Sequence, residues 1–270
     1  MMFKPLIAAG ELILPGRLFG LITLILIFII VEFVRHRAIT VKLPSIRKIP
    51  AIDAIPEIVG RASEMGGKIH TGIGDFARIN TDLAPQVIAA LTISGYTARL
   101  CARVGVPIIA TTMYGETLPL LDETIEEAYR LESKLEDFKK ENVRFIAGSQ
   151  LPYCAGVFSL MVQENVVGQV LTGPWAYATV LLGEFGHQAG AIQIGGTART
   201  VMMPGFVAIY DYFLIGEELF AAAAMINKDP SQISSIQAQD YGKIASIILL
   251  LLGALFYLIN NQSLLNILKW

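Results

Sequence analysis

Two apolar runs constrain this chain more than any other feature. Leu18 to Val34 (LFGLITLILIFIIVEFV) and Ile244 to Ile259 (IASIILLLLGALFYLI) stand near its ends and enclose a middle of mixed composition. At about 1.5 Å per residue each run comes close to the ~30 Å of a bilayer's hydrocarbon core. Both read as transmembrane helices, over 18–34 and 243–260. A cleaved signal peptide fits the first run poorly, because its apolar stretch starts late and Arg35, His36 and Arg37 follow it in place of a small-residue cleavage site. Glu32, near the end of that run, reads as reaching the headgroup zone or pairing with an arginine rather than as a functional intramembrane carboxylate.

Basic residues in short flanks resist translocation and set orientation. Lys4 and Arg17 precede the first run, whereas Arg35, Arg37, Lys42, Arg47 and Lys48 follow it. Residues 51–242 are therefore expected in the cytoplasm, joined to the first span by a basic linker at 35–50. Residues 1–17, with the apolar but short Pro5 to Leu14, and the tail 261–270 are expected on the outer face. In the cytoplasm Cys101 and Cys154 stay as thiols.

Pro50 to Gly242 holds 12 Lys/Arg and 21 Asp/Glu, a net charge of −9. Such a field repels phosphate backbones, so nucleic acid is excluded as a partner. Membrane lipid is expected to meet the basic linker instead.

Periodicity along the middle alternates. Helical patterns cover Ala51 to Met65, Leu83 to Val104, Pro119 to about Lys139, Pro152 to Glu164, Trp175 to Phe185 and Glu217 to Ile226. Extended runs cover Lys68 to Gly72, Val106 to Thr111, Val143 to Ala147, Val166 to Thr172, Ala191 to Gly195 and Tyr212 to Ile215. Pro204 favours a further short helix before the last strand over an antiparallel edge. The expected fold is α/β: a mostly parallel open sheet of five or six strands, helices on both faces, flanked by the two spans.

In such sheets ligands bind beyond the carboxyl ends of the strands, where free helix N–H groups gather. Those ends are small and polar here, which makes Gly72, Gly74, Asp75, Thr111, Thr112, Gly173, Gly195, Gly196 and Thr197 the candidate ligand-loop residues, with Gly148-Ser149 at the third strand. Loops of this composition also simply turn chains. No complete dinucleotide fingerprint, P-loop or nucleophile elbow is present. His36, His70 and His187 are scattered without metal-ligand spacing, so neither a metal nor a cofactor is expected. Glu184 with His187 reads as a surface pair, Glu217-Glu218 as complement to a helix dipole, and the acids between Asp122 and Glu136 as a solvated face. Asp211, if buried, needs a donor such as a tyrosine hydroxyl or a strand amide.

Four segments, AIDAIPEIVGRASEMG (Ala51 to Gly66), GAIQIGGT (Gly190 to Thr197), DYFLIGEELFAA (Asp211 to Ala222) and QDYGK (Gln239 to Lys243), resemble an uncharacterised group of prokaryotic membrane proteins classified only as a domain of unknown function. That resemblance implies an anchored α/β domain and carries over no catalytic residue.

The leading expectation is a non-enzymatic scaffold that forms a homo-oligomer on the cytoplasmic face. Small-residue runs at Ala221 to Ala224 and Ala189-Gly190-Ala191, with Gln188 beside the latter, are its expected contact surfaces. The alternative is an enzyme or sensor that holds a nucleotide or other small-molecule ligand at the strand ends.

Overall fold

A computed structural model describes residues 18–40 and 47–259. The expectations for the outer-face segment, the tail and residues 41–46 of the linker fall outside them, while 35–40 of that linker continue the first helix. The chain divides into two compact units, one of Ile46–Lys228 and one of Met1–Ser45 with Asp229–Trp270.

The Ile46–Lys228 unit contains six strands: β1 (Lys68–Gly72), β2 (Ile108–Thr112), β3 (Val143–Phe145), β4 (Val166–Thr172), β5 (Ile192–Thr197) and β6 (Tyr212–Ile215). All five pairings are parallel, in the order β3-β2-β1-β4-β5-β6. The chain winds outward from β1 to β3, then returns to β4 on the other side of β1, so the switch point lies between β1 and β4. Helices cover both faces, as the alternation implied. On one side pack α2 (Pro50–Met65), α3 (Ala84–Val104) and α8 (Glu218–Asn227), with α4 (Leu118–Leu131) against α3 near β3. On the other pack α5 (Gln150–Gln163), α6 (Ala178–Gln188) and α7 (Met203–Ile209). The helix after Pro204 is present, and β6 joins as a parallel strand.

Helix ends follow local chemistry. Gly66 and Gly105 take left-handed φ of 62° and 75° and close α2 and α3, with the next amide reaching back to Ala62 and Cys101. α4 stops eight residues short of the expected Lys139. Ser133 at φ 56° acts as its left-handed terminator, the Lys134 amide reaching back to the Tyr129 carbonyl at 2.9 Å. Glu132 fixes this end between Arg99 and Arg103 of α3, at 2.5 and 2.9 Å. Two guanidiniums hold its carboxyl well down, at about 2.

Two apolar cores form. Ile55, Ile58, Ile93 and Leu219 are buried on the α2–α3–α8 side, and Tyr153, Trp175, Leu182, Phe206 and Tyr210 on the α5–α6–α7 side. Ala221 to Ala224 are buried too. The run expected to serve contacts between copies therefore packs inside the chain's own unit.

The second unit contains α1 (Leu18–Thr40) and α9 (Pro230–Leu258), which pack along each other. Glu32 pairs with Arg35. Among the described residues two helices are long and apolar enough to cross a membrane, Ala84–Val104 and Pro230–Phe256. The first is α3, half buried against the sheet; the second lies in α9 and has no buried share. The side chains of α1 from Leu24 to Ile29 are likewise exposed.

Candidate functional site

The β1–α3 and β4–α6 loops meet at the switch point. Gly74 has φ 119° and Gly173 φ 121°, backbone that only glycine adopts without strain. A Cβ on Gly173 would stand 2.3 Å from the Ile73 carbonyl oxygen, and one on Gly74 2.8 Å from Pro174 Cδ. These glycines let the loops cross each other rather than admit a ligand. Behind them Trp175 fills the crevice, with its ring 3.2 Å from where a Gly72 Cβ would lie and no exposed surface.

Asp75 completes the closure. Its carboxylate accepts the amides of Ala176 at 2.5 Å and Ala178 at 3.3 Å, and the Gln150 side-chain amide at 2.8 Å. It therefore sits at the N-terminus of α6, the position where a doubly wound fold receives an anion. Burial raises its pKa, against the backbone hydrogen bonds and the charge of Arg199. Asp75 also explains why α6 begins at Ala178 rather than at the expected Trp175: the cap comes from the loop after β1, and Trp175 is drawn into the core. Asp75→Asn leaves a single oxygen facing three donors. An unpaired donor costs about 1–3 kcal/mol, so the melting temperature, followed by Trp175 fluorescence in a Trp270→Phe background, is expected to fall by roughly 2–12 °C.

All nine candidate residues lie at this edge of the sheet and are buried. Gly72, Gly74, Asp75 and Gly173 come together at the switch point. The others meet their own neighbours: Thr112 pairs with the Thr117 hydroxyl at 2.9 Å, Gly195 lies beneath Phe206, Gly196 faces Leu214, and Thr197 accepts the Arg199 amide at 3.2 Å. Gly148 and Ser149 are exposed. Around the rim, Arg78 lies over the Tyr114 ring at 4.8 Å and Arg199 over the Phe76 ring at 4.6 Å.

Thr111 belongs to a different feature. His70, Gln169 and Gln193 are register partners on β1, β4 and β5, a row of buried polar side chains across the sheet. Gln169 Nε2 donates to His70 Nδ1 at 3.1 Å, which assigns the proton to His70 Nε2 and makes it the donor to Thr111 Oγ1 at 2.8 Å. Thr111 in turn meets the Tyr153 hydroxyl at 2.8 Å. Gln193 Nε2 donates to the Gly183 carbonyl at 2.7 Å, while the amide oxygens of both glutamines converge on Gly186 with no hydrogen-bond partner among the described residues. Burial drives the His70 pKa down to about 3, so the ring is neutral.

Asp211 is exposed, so the requirement set for a buried carboxylate does not arise; it accepts the Gln193 amide at 2.8 Å. Glu184 takes the Gln188 side chain at 3.0 Å, and Glu218 meets Arg47 and the Ile215 amide. Cys101 and Cys154 are free and buried. Burial pushes the Cys154 thiol up to about 11 and Cys101 further, which keeps both protonated and poorly nucleophilic. Among the described residues no three His, Cys, Asp or Glu side chains are grouped to hold a metal ion.

No curated protein and no solved structure matches the chain. A family described as "Domain of unknown function (DUF6754)" matches residues 10–268, nearly its whole length, and the protein belongs to that family.

Proposed function

We propose that this is a two-pass protein of the prokaryotic membrane, with α1 and α9 as its spans, whose α/β unit associates laterally with further copies on the cytoplasmic face. The observation that carries self-association is an apolar surface on two neighbouring helices. Tyr177, Val180 and Leu181 at the start of α6 are exposed together with Val201 and Val207 around α7. Val180 lies against α7, its Cγ2 3.3 Å from where a Gly205 Cβ would stand. Isolated exposed apolar side chains are ordinary, whereas a cluster on adjacent helices marks an interaction surface. A second copy is the occupant argued for, because tethering to one bilayer raises the effective concentration of copies for each other. The excess of basic residues after Val34 supports the cytoplasmic orientation. The closed switch point supports a role in binding between proteins over dinucleotide chemistry.

Tyr177→Cys tests this surface in sealed membranes, since the two native cysteines are buried and stay silent. Oxidation is expected to give a disulfide-linked dimer. Glu57→Cys, on the exposed face of α2, is expected to give none. Equal crosslinking at the two positions would remove the α6–α7 contact.

A small anionic ligand at the strand ends is the second reading. Arg78 and Arg199 favour it, because each is held over a ring without an ion-pair partner among the described residues. Such a ligand would need to displace Asp75 from α6. Stabilisation by phosphate or nucleotides that is lost in Arg199→Ala would support it, and its absence in the native chain would end it.

A further inference from the structure

α1 and α9 do not close on each other along their whole length. They leave a groove of about 670 Å³ lined by Ile27, Ile30 and Val31 on one side and by Gly242, Ser246 and Ile247 on the other. Gly242 lines it, and a Cβ there would meet nothing within 4 Å, so the glycine answers no packing need inside the chain. Glycine weakens a helix interior relative to alanine, which makes its place on the groove wall the more notable. The groove is also polarised. Ile27, Ile30 and Ile247 make one end apolar, and Gln239 and Lys243 border the other. Lys243 is the residue immediately before the apolar run on α9, and on α1 Arg35 stands one turn past Val31 and Arg37 nearly two. Apolar walls below a cationic rim match an amphiphile, with its chain in the bilayer and its head at the surface.

The rim favours an anionic head. Lys243 meets Asp240 at 3.1 Å and Arg35 meets Glu32, both in half-exposed i,i+3 pairs, which are weak enough for the cation to share a second anion. Arg37 adds a third cation against the two carboxylates. The balance at this boundary is therefore positive. We infer that the groove between α1 and α9 is a binding site for an anionic phospholipid, one acyl chain lying along Ile27, Ile30 and Ile247 and the phosphate beside Lys243. The inference rests on the reading of α1 and α9 as membrane spans.

The full chain, extracted in mild detergent and moved to nanodiscs of mixed phosphatidylglycerol and phosphatidylcholine, is examined by native mass spectrometry. Retained lipid is expected on the native chain, enriched in phosphatidylglycerol. One basic side chain near the surface is worth about 1 kcal/mol, or about fivefold in affinity. Lys243→Gln should keep a bound lipid and lose about that preference. Gly242→Leu should lose the lipid, because its side chain enters the groove while helix propensity improves. Absence of retained lipid, equal retention of both headgroups, or full retention by Gly242→Leu would overturn the site. A disulfide between copies through Gly242→Cys would also overturn it, by assigning the groove to a second helix. Release of the native chain from membranes by alkaline carbonate would refute the membrane reading itself, and the lipid site with it.

Discussion

Gly173→Ala is expected to prevent the α/β unit from folding. The new Cβ would lie 2.3 Å from the Ile73 oxygen and 2.9 Å from its carbonyl carbon, both main-chain atoms. Neither can move without parting the loops that cross over the switch point. The φ of 121° is also closed to alanine. Strain of this kind alone costs about 1–3 kcal/mol. With a backbone clash added, the total reaches roughly 5 kcal/mol, comparable with the whole stability of many domains. In a Trp270→Phe background Trp175 reports the outcome directly, because its ring is fully buried beside this crossing: red-shifted emission in place of that of a buried indole. Gly60→Ala is the control. That glycine lies inside α2 with nothing within 4 Å of an added Cβ, so the change should stabilise by about 0.5–1 kcal/mol. A Gly173→Ala protein with native emission and stability would refute the crossed-loop geometry.

The second large effect is acid sensitivity through His70. Its folded pKa of about 3 lies well below the ordinary imidazole value of 6.5. The unfolded chain therefore binds a proton at His70 that the folded chain does not. Stability is unaffected by this group above pH 6.5 and is lost as the pH falls below it, by about 1.4 kcal/mol per pH unit. Between pH 6.5 and 5.0 the loss is about 2 kcal/mol. Glu132 and Glu164 have lowered pKa values, so their ion pairs are lost only at more acid pH. Asp75, with its raised pKa, acts in the opposite direction. Subtraction isolates His70: His70→Gln should be less stable at pH 7, yet its denaturant midpoint should fall less steeply than that of the native chain between pH 6.5 and 5.0. Identical slopes for the two chains would show that His70 titrates freely and that the buried row is not formed.

Much of the architecture was legible in the sequence because it is local. β1, β4 and β6 begin and end where alternating or continuous apolar runs do, and α2 and α3 end at glycines with left-handed φ. What was not legible is long-range. The cap of α6 is a carboxylate about a hundred residues upstream, so local spacing placed Trp175 in a helix rather than in the core. Parallel pairing brings His70, Gln169 and Gln193 into one row, although each is only a lone polar residue in its own strand. Their shared position inside otherwise apolar strands was the available signal. Small residues misled for the same reason: Ala221 to Ala224 has the composition of an interface and the burial of a core. Ala222→Glu would accordingly unfold the unit rather than separate copies.

Self-association is the central claim, and particle mass tests it most directly. The native chain weighs 29.4 kDa. In mild detergent, measured by light scattering with the detergent contribution subtracted, multiples of that mass are expected. Repulsion between copies carrying −9 over Pro50 to Gly242 is screened beyond about 8 Å at physiological salt, so the assembled fraction should grow as salt rises. Val180→Glu should return the particle to a single chain without altering Trp175 emission. A native protein that stays at 29.4 kDa in detergent and in nanodiscs at every salt concentration would contradict the account.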